Sequence, residues 1–214
     1  MKFSKQELIC FNSILDGNPI VGINLRQSNE KDVNVYVNET MRTLKDKNIL
    51  DESGRITKIG ILPIEILKKY KNAKKYISFN FTKVALLDDN KVVIIKIEDD
   101  QYNISICNNV ELLHKLVSMS SYMQKETMYE NKIKKEKLDF MDLLKSNELY
   151  NSEAINTKVY FDGSEIENKI YYWNNEKGFL YDLNNEYREE LTPRGMRMKF
   201  IDLIGISLNQ EGII

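Results

Sequence analysis

The 214-residue chain contains one histidine, two cysteines, three prolines and a single tryptophan. The lone histidine, His114, excludes a His-based catalytic pair or a multi-His metal site. Cys10 and Cys107 each stand in an apolar pattern, which reads as two free thiols; a disulfide is the alternative. No glycine-rich loop carries the Lys-Ser/Thr of a phosphate-binding loop, since Gly54 and Gly60 lack it, and Gly-x-Ser-x-Gly is absent. The acidic pairs Asp88-Asp89 and Asp99-Asp100 fall in turn contexts, where aspartate bonds its own backbone. Nothing in the sequence points to an enzyme, a metal or a cofactor. The start, Met1 to Glu7, has no long apolar segment of a signal peptide, and no apolar run reaches membrane-spanning length. The expected location is the cytoplasm. Net charge is -1, so no excess of basic charge favours nucleic acid.

What the chain does contain is a soluble composition, 42% hydrophobic and 29% charged, and two alternating periodicities. Ser4 with Glu7 forms a capping box for a helix carrying Leu8, Phe11, Ile14 and Leu15, ended by Gly17 and Pro19. Val37, Met41 and Leu44 mark a second helix over about 34–48. A third is expected over 62–70, with Pro63 in its first turn. The period then falls to two, giving strands over 76–81, 83–87, 91–98 and 101–107 joined by short turns, hence antiparallel. A helix follows through Val110, Leu113 and Leu116. Residues 124–137, rich in mixed charge, read as a solvated helix, followed by an amphipathic one over 138–149. Strands over 157–162, 166–173, 178–183 and 187–191 lead to a last helix started by Thr192-Pro193, and the tail after Leu208 is expected to be loose.

The second half therefore repeats the layout of the first. Residues 82–97 align with 168–183 without a gap, and each copy continues through a strand into a helix. The expected fold is α/β (α+β), with antiparallel β-meanders packed by helices in two copies related by pseudo-two-fold symmetry. The halves are 1–119 and 120–214, forming one compact unit. The alignment sets Ala85, Leu86 and Leu87 against Tyr171, Tyr172 and Trp173. An aliphatic-to-aromatic change of this kind suggests a partner-binding strand at Tyr171 and Trp173, beside the polar turn Asn174-Asn175-Glu176. The alternative is that these rings fill the core under the last helix.

Leu8 to Leu15, Leu44 to Gly54, Leu62 to Leu67 and the strand pair 83–97 resemble the EspG-type chaperones of type VII (ESX) secretion, in their small Firmicute form. The resemblance implies a non-enzymatic chaperone or adaptor. It would bind a secreted helical-hairpin protein in the cytoplasm, before delivery to a membrane secretion machinery. It places the contacts at the turns Asp88-Asp89-Asn90 and Asn174-Asn175-Glu176. Two other readings stand beside it. One is an immunity protein that neutralises a toxin, against which the balanced charge argues. The other is a winged-helix-like regulator, suggested by the second helix and Ile49 to Thr57. That helix sets Glu39 and Asp46 against Arg42, Lys45 and Lys47, which is not a basic recognition face.

Overall fold

A computed structural model describes residues 1–25, 33–126 and 134–207. Among the described residues the mixed α/β architecture is built on one antiparallel sheet of ten strands. In chain order the elements are β1 (Lys2–Ser4), α1 (Lys5–Leu15), α2 (Val33–Asp46), α3 (Lys58–Lys71), β2 (Lys75–Phe79), β3 (Thr82–Leu86), β4 (Lys91–Glu98), β5 (Gln101–Asn108) and α4 (Asn109–Ser118). The second part holds β6 (Lys135–Lys137), α5 (Phe140–Lys145), β7 (Glu153–Phe161), β8 (Ser164–Trp173), β9 (Gly178–Asp182), β10 (Tyr187–Leu191) and α6 (Pro193–Leu203).

The strand order is β1-β5-β4-β3-β2-β7-β8-β9-β10-β6. Each meander contributes its first strand to the seam, where Ile77 stands opposite Val159. Reading outward from the seam, β3, β4 and β5 on one side match β8, β9 and β10 on the other. Helices α4 and α6 then close the two meanders in the same way. Asn108 caps α4 by accepting from the Glu111 amide at 2.7 Å, and Thr192 caps α6 by accepting from the Gly195 amide at 3.0 Å. The buried residues Leu112 and Leu116 stand four and eight positions after the first cap; Met196 and Phe200 do so after the second.

Alternation along the strands sorts the side chains onto two faces. On the front face Ile77, Val84, Val92, Ile155, Tyr171 and Trp173 pack with α4 and α6 in one core. On the back face Tyr76, Ala85, Val93 and Ile95 pack with α1, α2 and α3. A smaller back cluster joins Tyr172 and Tyr181 to Leu143 of α5. Between these back-face clusters the outward residues of β7, such as Asn156 and Lys158, are half-exposed, while Ile155, Thr157 and Val159, facing front, are buried.

Several expectations need correction. The repeat is not gapless. The connection after Leu86 runs over 87–91 before Val92, whereas that after Trp173 runs over 174–177 before Gly178. The alignment is in step along β4 and β9, but one residue out along β3 and β8. Ala85 faces back and Tyr171 faces front; the counterparts of Tyr171, Tyr172 and Trp173 are Val84, Ala85 and Leu86. Helix α3 begins at Lys58, capped by Thr57, so Pro63 lies inside it rather than in its first turn. Phe81 is not a strand residue but the second residue of the β2–β3 turn, and it is exposed. Lys135–Lys137 form an edge strand on β10 instead of the end of a solvated helix. The rest of that expected helix includes 127–133, outside the described residues, as does the tail from 208. The helix expected over 138–149 is the short α5. Cys10 and Cys107 are free and half-buried, and burial pushes both thiols upward in pKa. Among the described residues no helix is long and apolar enough to cross a membrane.

Candidate functional site

The expected partner-binding residues separate into three places. Tyr171 and Trp173 are buried in the front core. The Tyr171 ring packs 4.7 Å from that of Phe200 in α6. Burial, then the carboxylate of Glu167, holds its hydroxyl far above the ordinary tyrosine pKa. Trp173 is 4% exposed, and its indole N–H donates to Glu153 Oε2 at 2.9 Å. These rings fill the space under α6 and offer no surface to a partner. The reason is the face: Tyr171 and Trp173 of β8 point to the front core beneath α6, and a ring there replaces solvent with core.

The two turns lie at opposite ends of the sheet. Asp88, Asp89 and Asn90 sit at the end where β2 begins, because Leu86 pairs with Lys75. Asn174, Asn175 and Glu176 sit at the end where β7 begins, because Trp173 pairs with Glu153. One cargo tip cannot rest on both. At the first turn Asp89 is paired with Lys91 at 2.6 Å; the hydrogen bond from Lys91 holds its carboxyl below the ordinary range. The Asn90 carbonyl accepts from the Asn109 amide at 2.9 Å, tying this turn to α4. At the second turn the Asn174 side chain accepts from the amides of Glu176 and Lys177, both at 2.8 Å. Asn174 is thereby spent on turn geometry. Asn175 and Glu176 remain exposed.

Beside this second turn runs a groove of about 820 Å³, lined in part by Tyr122, Glu176, Lys177, Pro193, Arg194 and Met198. Its position follows from local sequence. Thr192-Pro193 starts α6 immediately after β10, and Tyr122 lies against that junction, donating to the Leu191 carbonyl at 2.6 Å. The groove mixes both signs of charge, and several members are already paired. Lys177 meets Glu190 at 3.6 Å, and buried Glu189 meets Lys199 at 3.4 Å. An interior of paired charges and apolar patches suits a protein surface better than a small anion.

The back face of the same end holds a second cavity of about 380 Å³, with Tyr172, Phe179 and Arg188 in its wall. Arg188 bridges Glu136 of β6 and Glu148 of the loop after α5, and its guanidinium stacks 5.0 Å from the Phe179 ring centroid. Burial alone would lower its pKa, but the hydrogen bonds to Glu148, Tyr172 and Glu136 win and raise it. The group is saturated, so it reads as a structural rivet. Arg188→Ala is expected to cost roughly 2 kcal/mol, less than the ~3–5 kcal/mol of a fully buried pair because both carboxylates keep some water. Hydrogen exchange should show the amides of β6 losing protection; unchanged exchange there would contradict this role.

His114 is exposed on α4. Among the described residues no group of three His, Cys, Asp or Glu side chains could hold a metal. Sequence reasoning missed Tyr122, Glu153 and Arg188. For the first a signal existed: the turn-forming pair Ser120-Ser121 precedes the apolar pair Tyr122-Met123, and Ser120 caps a short turn by accepting from the Met123 amide at 3.1 Å. The family described as Domain of unknown function (DUF5081) matches residues 1–201. No curated protein matches the chain.

Proposed function

The chain belongs to the DUF5081 family, and we propose that it is a non-enzymatic cytoplasmic chaperone or adaptor. It holds a helical-hairpin substrate of a type VII secretion system before export. The observation that carries the reading is the groove between the Asn174–Lys177 turn and the first turns of α6. At about 820 Å³, with Pro193 and Met198 in its wall, it has room and apolar contact for side chains of a docked helix. A carrier must also release its cargo, and a groove of already paired charges gives a modest, partly polar interface. The scaffold itself is read as a duplicated unit with pseudo-two-fold symmetry, supported by the matching strand order and helix caps.

The cargo site uses Asn175, Glu176 and the groove wall; Asp88, Asp89 and Asn90 lie outside it. The test is titration calorimetry of the purified chain with a purified helical-hairpin protein encoded beside it. Met198→Asp and Glu176→Lys should each weaken binding at least about tenfold, or about 1.4 kcal/mol, and leave the melting temperature nearly unchanged. An equal loss from Asp88→Lys, or no binding by the native chain, would defeat the reading.

A further inference from the structure

The seven residues 56–62 contain four large apolar side chains that face water: Ile56 at 41%, Ile59 at 54%, Ile61 at 48% and Leu62 at 51% exposure. Elsewhere the described large apolar side chains that are exposed stand more scattered along the chain. Scattered exposure needs no explanation, but a concentrated patch does. The inner face of α3 is satisfied without these residues, because Gly60, Pro63, Leu67 and Tyr70 are buried against the back core. Ile59 and Leu62 stand at i and i+3 on a second apolar stripe beside the buried one, and half-buried Ile66 at i+7 carries that stripe to the edge of the back core, against which it packs.

Charge tells what covers it. Lys58, Lys68 and Lys69 are exposed on this helix, and they make no ion pair with another described residue. Against them the outer surface of α3 has one acid, Glu65. The chain as a whole carries -1, so this basic excess is local. A second copy of α3 laid on the first would bring like charges together, which disfavours self-association. We propose that the Ile59–Leu62–Ile66 stripe of α3 docks an amphipathic helix of a partner protein, with apolar residues at helical spacing and acidic residues on their flanks. This is helix-against-helix recognition with lysines fixing orientation. The surface is on the back of the first meander, apart from the α6 groove, and the inference stands without the export reading.

The probe is a labelled synthetic peptide of about 20 residues, long enough to hold a helix, with Leu at i, i+3, i+4 and i+7 and Glu elsewhere. A counterpart carries Lys for Glu. Fluorescence anisotropy should show the acidic peptide binding and the basic one not, with binding weakened by salt. Leu62→Glu should weaken it at least about tenfold, and its exposed position should leave the melting temperature unchanged. Lys58→Glu combined with Lys69→Glu should reverse the preference to the basic peptide. Equal binding of both peptides, no binding, or indifference to Leu62→Glu would overturn the proposal. So would a dimer that Leu62→Glu dissolves, which would assign the stripe to a second copy. Sedimentation with phosphatidylglycerol vesicles that is lost in Leu62→Glu, with no peptide binding, would assign it to a membrane surface.

Discussion

Trp173→Ala is expected to destabilise the protein by roughly 3–5 kcal/mol, as large-to-small changes at buried aromatics do. For a chain of this size that corresponds to a fall of about 10 °C in melting temperature. The ring is enclosed by the front core, and its loss leaves a cavity between the end of β8 and the helices above it. It also strips Glu153 of the indole donor at 2.9 Å. Trp173→Phe should recover most of the packing and lack that hydrogen bond, worth about 1 kcal/mol. Thermal unfolding of the three proteins separates the two contributions. A Trp173→Ala protein that melts like the native chain would show that the ring is not core.

Gly60→Ala is expected to cost about 3 kcal/mol, near the top of the usual overpacking range. Alanine is the better helix former by about 1 kcal/mol, so propensity alone would forecast a gain. Geometry decides against it. A Cβ at residue 60 would stand 2.3 Å from the carbonyl oxygen of Ile49 and 3.0 Å from its carbon. Those are backbone atoms and cannot rotate away. The same carbonyl accepts from the Thr57 amide at 2.9 Å, so it is fixed by the turn that delivers the chain into α3. Relief requires α3 to lift off the back core where Leu67 and Tyr70 are buried. Chemical denaturation should show the loss; a Gly60→Ala chain as stable as the native one would contradict this close approach.

Local chemistry made much of the fold readable. The Ser4–Glu7 capping box is present, with the Ser4 amide donating to Glu7 at 2.7 Å and the Glu7 amide to Ser4 at 3.2 Å. Thr192-Pro193 opens α6, and the alternating runs became the two meanders. What was illegible depended on distant partners. Lys135–Lys137 is a strand only because β10 presents an open edge to it. The gapless alignment slipped by one residue along β8 because the four-residue connection 174–177 is one residue shorter than its counterpart. One residue exchanges the faces of a strand. The Ile166 bulge, skipped where Val159 pairs with Glu167 and Tyr160 with Glu165, makes the same kind of shift at the other end of β8. The candidate site was half legible. The polar turn at Asn174 was found from composition, and the groove beside it was not, because α6 and Tyr122 come together only in the folded chain.

The most direct test of the account is hydrogen exchange of the native chain with and without a purified helical-hairpin partner encoded beside it. The account predicts added protection at the Asn174–Lys177 turn and at the start of α6, from Arg194 to Met198. It predicts none at Asp88 to Asn90, at the opposite end of the sheet. Protection confined to Asp88–Asn90, or no change at the turn and α6 under saturating partner, would contradict it.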